Sequence, residues 1–467
     1  MLTDPLITRR DWLTRSGMGC GALALAALEA QRAGGTVKDS ALASGGGHFP
    51  ATAKRVIWLF MHGGPSQIDT FDPKPELAKH DGKSPPEEFH KLQLQFTEVP
   101  KQKLMASRMN FVNCGQSGIP MSDRFVHLRD CADDLAVVRS CHHQNFNHTP
   151  GIFLMNTGQA RMGYPSMGSW LNYGLGCETD NLPAYVVMND GPLKPGPGVW
   201  GNGFLPSAYQ GTKINRQGDA IPYLNQPSEL RGANQRAILD HAQWLNHDHL
   251  RGRTDDSDLE ARIASYELAY RMQTAAPEAV NLNNETAAAR ELYGGGFGSM
   301  CLTARRLVER GVRMVQIYHG CGGGGWDTHG DNYNKHNNLI ESVDRGCAAL
   351  IKDLKQRGML EDTLVIWSGE FGRTPTTEGE NGRDHSPYGF SLWMAGGGVR
   401  GGQIIGATDE FGFRVVERPV DVHDLHATIL KLMGLDHERL TWFHQARAQR
   451  LTDVHGYQDI AAELVRG

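Results

Sequence analysis

Residues Arg55-Val-Ile-Trp-Leu-Phe-Met61, followed at once by His62-Gly-Gly-Pro65, decide the fold class of this chain. A short, unbroken apolar run that ends in a glycine and proline turn is typical of a strand buried on both faces of a sheet. Runs of the same kind follow at 135–139, 184–188, 312–318, 363–367 and 390–394. Helical patterns lie between them or after them, at 259–272, 287–292, 300–310, 338–357 and 422–433. This alternation predicts an α/β fold with a mostly parallel central sheet and helices on both faces.

The rest of the chain is organised around this one sheet. Its 467 residues suffice for a large core, and α/β enzymes of this size are often a single domain. We expect one domain over residues 54–467, preceded by a Gly/Ser-rich linker at 36–53. A stretch near 191–235, rich in Gly, Pro, Asn and Gln without a sustained period, predicts an irregular insertion over the site. The stretch 73–119 is similarly irregular.

The composition argues against one class of partner and points to one class of chemistry. The chain has 47 basic and 52 acidic residues, a net charge of -5 and no basic run, whereas nucleic-acid binding requires a basic surface. We therefore expect no nucleic acid as a partner. The 20 histidines cluster beside Asp and Gly, which indicates metal or acid–base chemistry.

The N-terminus resembles a twin-arginine export signal. Thr8-Arg-Arg-Asp-Trp-Leu13 precedes a weakly apolar, Gly- and Ala-rich stretch from Gly17 to Leu28. This predicts a signal peptide over residues 1–35, the twin-arginine export machinery as a partner, and a periplasmic or extracellular protein. An amphipathic N-terminal helix is the alternative, which the glycines disfavour. The apolar stretch is shorter than the ~20 residues that span a bilayer, so we expect no stable membrane span after signal removal.

Polar clusters follow the predicted strands at their carboxyl ends, where open parallel sheets collect ligands. The loop after the first strand offers His62 and Asp69. Asp327 and His329 follow the fourth strand, and residues two apart in an extended segment point to the same side, so both can ligate one cation. A solvated glycine loop is the alternative at this place.

Two more clusters lie between residues 363 and 390. A strand delivers Glu370, a carboxylate for a cation, and Arg373, a guanidinium that can grip an oxyanion; a structural Glu–Arg pair is the alternative. Asp384 and His385 follow, either as two ligands or as a His oriented by its neighbour. The candidate metal ligands are thus His62, Asp69, Asp327, His329, Glu370, Asp384 and His385.

The segment after the second strand offers a candidate nucleophile. His148-Thr149-Pro150 leads into an apolar helical turn or two, and Pro150 at the first helical position would make Thr149 the N-cap. A hydroxyl there can act as a nucleophile or merely cap the helix, and capping is the commoner use of Thr.

The order of these clusters resembles the alkaline phosphatase superfamily, whose members include sulfatases and phosphopentomutases. The signal, the motif from His62 to Lys74, the motif from Gly369 to Pro375 and Arg383-Asp-His385 resemble the domain of unknown function 1501 family of sulfatase-like proteins, over nearly all of the mature chain. The resemblance implies an alkaline phosphatase/sulfatase-like fold and one or two divalent metal ions, as zinc, calcium or magnesium. It makes Asp327 and His329 similar to the acidic and His group of one metal site. It makes His385 similar to the late metal-binding His of phosphopentomutases.

The chain departs from the superfamily pattern in two places. Ser368-Gly-Glu-Phe-Gly372 replaces the superfamily's Ser-Asp-His-Gly, so Glu370 can ligate a metal but Phe371 cannot. His148 aligns with the sulfatase Cys that becomes formylglycine, which excludes that chemistry here. Thr149 is then the candidate nucleophile, of the kind phosphatase-like members use, with His148 and Arg373 as further catalytic candidates.

We expect an exported, metal-dependent hydrolase or transferase of phosphate or sulfate esters, acting on a small-molecule or polysaccharide ester. The alternative is a non-catalytic, metal-containing binding protein for anionic polysaccharide at the cell surface. The missing Cys and the altered Glu370 motif favour that alternative, and a fold alone does not decide between the two.

Overall fold

The computed structural model describes residues 46–215, 221, 233–251, 257–454 and 459–465. The predicted signal peptide, residues 36–45 of the linker and parts of the insertion lie outside the described residues. The strands are β1 (Arg55–Met61), β2 (Phe111–Cys114), β3 (Ile119–Ser122), β4 (Ala136–His142), β5 (Tyr185–Asn189), β6 (Thr212–Ile214), β7 (Met314–His319), β8 (Thr363–Ser368), β9 (Gly372–Arg373), β10 (His385–Ser386), β11 (Phe390–Ala395), β12 (Gln403–Ile405), β13 (Ala407–Thr408), β14 (Val415–Glu417), β15 (Val420–Asp421), β16 (Trp442–His444) and β17 (Arg447–Gln449). The α-helices are α1 (Gln67–Thr70), α2 (Pro75–Lys79), α3 (His148–Thr157), α4 (Met167–Leu175), α5 (Ala233–Arg251), α6 (Ser257–Val280), α7 (Ala287–Tyr293), α8 (Phe297–Glu309), α9 (Asn332–Gln356), α10 (Val422–Leu432) and α11 (Ala461–Val465).

One central sheet of nine described strands organises the molecule. Its order is β12-β4-β11-β8-β1-β7-β5-β6, and β15 also pairs with β4. The strand β1 lies at its centre, parallel to both β7 and β8. Within this sheet β11 runs antiparallel to its two neighbours, β4 and β8. The predicted mostly parallel sheet is confirmed.

Successive residues of β1 face two different cores, one on each side of the sheet. Ile57, Leu59 and Met61 belong to a core that includes side chains of α8 and α9. Val56, Trp58 and Phe60 belong to a second core, with α3, α4 and α10. All six side chains are fully buried. Burial of one large apolar side chain stabilises a fold by about 1.5–3 kcal/mol. The unbroken apolar pattern of β1 therefore reflects helices on both faces, as predicted.

The described part of the insertion lies next to the candidate site. It contains two 3₁₀ turns, Pro197–Trp200 and Ser207–Tyr209, and the edge strand β6. The carbonyl oxygen of Lys194 approaches Nε2 of His62 to 3.3 Å. In the described ranges, no helix combines the length and the apolar character needed to cross a membrane.

Candidate metal centre

Four side chains that the sequence singled out meet at one edge of the sheet. His148 is the first residue of α3, Asp327 and His329 lie in the loop after β7, and His385 begins β10. One ligand atom from each lies within 4.8 Å of the others. The loops that follow the parallel strands β4, β7 and β8 share this edge, because parallel strands end on the same side of a sheet. The four residues therefore come from chain segments far apart in sequence.

Asp327 lies at the centre of this group. Its Oδ1 is 2.8 Å from Nε2 of His329 and 3.0 Å from Nε2 of His385. Its Oδ2 is 3.1 Å from Nε2 of His148. The three imidazoles thus all direct the same ring nitrogen, Nε2, at one carboxylate.

The opposite nitrogen of each ring, Nδ1, faces a hydrogen-bond acceptor. His148 has Glu370 Oε1 at 2.7 Å, and His329 has a carboxylate oxygen of Glu378. His385 has the carbonyl oxygen of Phe146 and Oε1 of Gln95, each at 2.7 Å. Because each Nδ1 has an acceptor, a neutral ring can keep its proton on Nδ1 and offer the Nε2 lone pair to a cation, as histidines that ligate metals do.

The donor set fits a divalent cation. Three imidazole nitrogens and one carboxylate oxygen are ligands that zinc prefers. The Nε2 of His148 is buried and, despite its distance of 3.1 Å from Asp327, lacks hydrogen-bond geometry. The side chains of His148, Asp327 and His329 are 22–30% exposed, whereas that of His385 is buried. The group is therefore open to solvent on one side, as catalytic metal centres are.

The pKa values leave Asp327 and His385 unprotonated at pH 7, whereas those of His148 and His329 are raised. Burial disfavours the charged form of Asp327, but the three histidines and Arg373 outweigh it and hold the pKa of the carboxyl well below its usual range. Burial lowers the pKa of His385 to about 4, so this ring is neutral at pH 7. Burial also opposes the charge on His148, but the carboxylates of Asp327 and Glu370 raise its pKa to about 9. A cation that binds His148 must therefore displace a proton from it.

Residues 53–461 match the family described as "Protein of unknown function (DUF1501)". The chain belongs to this family. The match covers most of the chain and confirms the closer of the two resemblances. No curated protein matches this DUF1501 chain.

Several solved structures are similar to the DUF1501 chain at low identity. The PsFucS1 sulfatase from Pseudoalteromonas sp. is 11% identical with a TM-score of 0.34, over 89% of this chain and 72% of that one. The alkaline phosphatase from the Antarctic bacterium TAB5 is 11% identical with a TM-score of 0.35, over 83% and 99%. A protein in the alkaline phosphatase superfamily from Vibrio parahaemolyticus is 10% identical with a TM-score of 0.37, over 88% and 75%. Likenesses at this level carry no argument about the activity of this chain.

Arg373 lies behind the group of four rather than at its open side, where an oxyanion would bind. Its side chain is fully buried, and its Nη2 lies 2.7 Å from Oδ1 of Asp327. The same guanidinium donates to the carbonyl oxygens of Gly63, Gly64 and Arg383. These contacts correct the predicted role: Arg373 positions Asp327 and has no accessible nitrogen to grip a substrate.

Glu370 does not belong to the group of four, but it contacts one of its members, His148. Its carboxylate is fully buried and accepts hydrogen bonds from the Gly63 N–H at 2.8 and 3.1 Å and from His148 at 2.7 Å. It therefore orients a ligand in the DUF1501 site instead of joining the four. His62 also lies nearby: its ring stacks on that of His148 with centroids 6.1 Å apart, and its buried Nδ1 has no partner among the described residues.

Asp69 is placed away from the four. Its Oδ2 accepts from Ser66 at 2.6 Å, Asn332 at 2.9 Å and Arg383 at 2.9 Å. Burial would raise the pKa of Asp69, but Arg383 and the neighbouring donors lower it to about 2. Asp69 thus forms a buried ion pair, which differs from the predicted metal contact.

Asp384 holds the backbone at Phe96 and Thr97. Its Oδ2 accepts from the N–H groups of Phe96 and Thr97 at 3.0 Å each and from the Thr97 hydroxyl at 2.9 Å. It also lies in a smaller group with His329 and Glu378 that could hold a cation. That group shares His329 with the first, so we treat the group of four as the principal centre.

Thr149 is not the cap of α3, which corrects the prediction. The helix begins at His148, and the N-cap is Asn147, whose Oδ1 accepts from the Thr149 N–H at 3.2 Å. Pro150 therefore lies in the first turn but not at its first position. Thr149 is exposed, next in sequence to His148.

Sequence reasoning missed Glu378 and Gln95, which hold the rings of His329 and His385. Glu378 stands in a polar turn, Thr376-Thr-Glu-Gly-Glu-Asn-Gly382, where a second glutamate lies two residues away. Gln95 lies in the irregular stretch 73–119. Neither has a spacing to another polar residue that distinguishes it from a solvated loop residue.

Proposed function

We propose that this DUF1501 chain is a metal-dependent hydrolase of phosphate or sulfate esters. One observation carries the proposal: three imidazoles direct Nε2 at Asp327 while an acceptor holds each Nδ1. An ordinary buried histidine needs one or two hydrogen-bond partners, but it does not need to share one partly exposed carboxylate with two other rings. The arrangement is the one that positions imidazoles for a cation and keeps one side open for a substrate.

The residues around the centre suit an anionic ester. The helix α3 begins at His148, so the positive end of its dipole lies at the centre and favours a phosphate or sulfate group. Glu370 and Glu378 fix the rings of His148 and His329, and Arg373 fixes Asp327. A divalent cation bound by these residues would polarise the ester and lower the pKa of a bound water.

The attacking group in this proposal is water. Among the described residues, none of the hydrogen bonds made by Asp327 or by the three imidazoles involves a hydroxyl or a thiol. Attack by water breaks the bond between phosphorus or sulfur and the bridging oxygen, and releases an alcohol and the inorganic anion. Thr149 stays a prediction as a nucleophile, since it is exposed and adjacent to His148.

The first test is the metal content of the purified protein. We expect about one divalent cation per chain in the wild type and less than a tenth of that in His385→Ala, which removes a buried ligand. His90→Ala is the matched control, because His90 contacts the carbonyl oxygen of Pro85 and lies in neither group of candidate ligands. Full metal occupancy in His385→Ala, measured by elemental analysis, would contradict the proposed centre.

The second test is hydrolysis of 4-nitrophenyl phosphate and 4-nitrophenyl sulfate by the metal-loaded protein. We expect release of 4-nitrophenol with at least one ester, lost in His385→Ala and kept in His90→Ala. A metal-loaded wild type that cleaves neither these esters nor a wider panel would support the alternative, a metal-containing binding protein for anionic polysaccharide.

We also propose that the chain is exported by the twin-arginine route to the periplasm or beyond. Support comes from Arg9 and Arg10 ahead of the weakly apolar stretch. Replacing both with Lys is expected to leave the precursor in the cytoplasm, as seen by cell fractionation. Normal secretion of that double variant would contradict this route.

A further inference from the structure

A hairpin at residues 93–98 covers one side of the metal centre. Gln93 and Glu98 pair across it in antiparallel fashion, so Gln95 and Phe96 lie at its tip. Oε1 of Gln95 is 2.7 Å from Nδ1 of His385. The hairpin therefore contacts a ligand of the proposed centre directly.

Phe96 stands over two of the proposed ligands. Its ring is edge-on to the imidazoles of His329 and His385, with centroids 5.1 and 5.7 Å apart. Phe96 is nevertheless 59% exposed. An exposed aromatic side chain at this place offers apolar ring surface to a group that binds beside His329 and His385.

Asp384 fixes the position of this ring. Its fully buried carboxylate, next in sequence to His385, accepts from the N–H groups of Phe96 and Thr97 and from the Thr97 hydroxyl. Hydrogen bonds to an ionised acceptor are stronger than neutral ones. The tip of the hairpin is thus tied to the same loop that supplies a ligand, so Phe96 keeps a defined distance from the centre.

An exposed aromatic residue on its own needs no explanation, because such residues are common on protein surfaces. Phe96 differs in two respects: it touches two ligand side chains, and a buried carboxylate holds its backbone. Small-molecule sites generally combine an apolar wall with a few placed polar groups. Phe96 supplies such a wall beside a centre that is otherwise polar.

We infer that Phe96 binds the leaving group of the ester and selects substrates that carry a flat apolar face next to the anionic group. This inference rests on the proposed function. The anionic group lies at the open side of the four ligands, and the adjoining ring packs on Phe96. Both an aryl group and the C–H face of a pyranose have this chemistry.

Binding of two phosphonates tests the inference without turnover. Phenylphosphonate and methylphosphonate carry the same anionic group, and only the first has a flat ring. For the zinc-loaded wild type we expect isothermal titration calorimetry to show phenylphosphonate binding at least fivefold more tightly. Phe96→Ala is expected to bring the two affinities together by weakening phenylphosphonate only. Phe96→Trp is expected to keep the preference.

A matched control and a third probe complete the experiment. Phe443 is 65% exposed, and in the part of the chain that the structure describes its ring contacts none of the proposed ligands, so Phe443→Ala is expected to keep the wild-type preference. A pyranosyl phosphonate that binds more tightly than phenylphosphonate points to a sugar ester, and the reverse order points to an aryl ester.

Two outcomes overturn the inference, in different ways. If wild type binds both phosphonates equally, or if Phe96→Ala keeps the preference with its zinc content intact, Phe96 does not contact the leaving group although the anion site stands. If neither phosphonate binds the zinc-loaded wild type, the proposed ester hydrolase fails and the inference fails with it.

Discussion

Glu370 is a buried carboxylate that contacts His148 without belonging to the group of four candidate ligands. Burial would raise its pKa, but hydrogen bonding and charge from His148 hold the pKa below the usual value, so the side chain stays ionised. Because both its oxygens also accept from the Gly63 N–H, its position is fixed by the backbone that follows β1. It can therefore hold the ring of His148 in one orientation.

Glu370→Gln is expected to lower the affinity for the cation by about 10- to 100-fold, the range typical of partners that orient a ligand. The amide keeps the volume of the side chain but carries no charge and has one acceptor oxygen instead of two. Competition with a chelator of known affinity measures the change. Glu410→Gln, at an exposed position, serves as the control. Equal affinities in the two variants would show that Glu370 does not support the centre.

The sequence singled out all four members of the group, Asp327, His329 and His385 as metal ligands and His148 as a catalytic residue, but it did not indicate their partners. Asp327, His329 and His385 stand out because each follows an apolar strand or a glycine-rich loop. Glu378, Gln95 and the carbonyl of Phe146 hold the rings only because distant loops fold back onto the centre. Such contacts depend on loop geometry, which carries no periodic signal in the sequence.

The first turn of α3 brings His148 to the centre. Asn147 adopts an extended conformation with φ -109° and ψ 139°, and its side chain satisfies the otherwise unpaired Thr149 N–H. Thr149 was predicted as the cap because Pro150 was assigned to the first helical position. Proline is also tolerated later in the first turn, where backbone N–H groups lack helical partners.

Asn147→Ala is expected to destabilise the protein by about 1 kcal/mol, the usual cost of losing an N-cap side chain. Thr149→Ala is expected to change the free energy of unfolding by less than about 0.5 kcal/mol, because Thr149 is exposed and does not cap. Urea denaturation of both variants measures the difference. The same Thr149→Ala protein also tests the predicted nucleophile. Hydrolysis that persists in Thr149→Ala excludes its hydroxyl as the attacking group.

Central strands were easier to predict than edge strands or strand directions. The run from Arg55 to Met61 is apolar throughout its buried part, and its bounds were predicted as observed. Residues 212–214 and 403–405 pair at the edges with only one buried residue each, so no apolar run marks them. The antiparallel direction of β11 was not predictable, because a strand buried on both faces has the same pattern in either direction.

Two buried histidines, His336 and His426, have pKa values well below the usual value, and the hydrogen bonds of His336 favour its neutral form. In His336, Nε2 accepts from the Ser66 N–H at 2.8 Å, while Nδ1 lies 3.2 Å from the Asn332 carbonyl oxygen. Protonation of Nε2 would remove the acceptor of this hydrogen bond and place a second hydrogen against the Ser66 N–H. Burial lowers the pKa of His336 to about 4, and burial likewise lowers the pKa of His426 to about 3.

The whole molecule is therefore expected to lose stability in mild acid. Above its unfolded-state pKa of 6.5, His336 is neutral in both the folded and the unfolded state, so its lowered pKa does not change the free energy of unfolding there. As the pH falls from 6.5 towards 4, His336 becomes protonated in the unfolded chain but stays neutral in the folded protein. This difference lowers the free energy of unfolding by about 3 kcal/mol. Asp69 contributes little in this range, because the stability from its lowered pKa of about 2 is lost mainly as the pH falls below its unfolded value of 3.8.

His336→Gln isolates this effect. The amide oxygen can accept from the Ser66 N–H, but the side chain does not titrate, so the variant is expected to lose less stability than wild type between pH 7 and pH 4.5. The free energy of unfolding in urea, measured at both pH values, gives the comparison. His241→Gln, at an exposed position on α5, is expected to keep the wild-type pH dependence. If His336→Gln declines as steeply as wild type over that range, protonation of His336 does not drive the acid sensitivity, and other groups such as His426 must account for it.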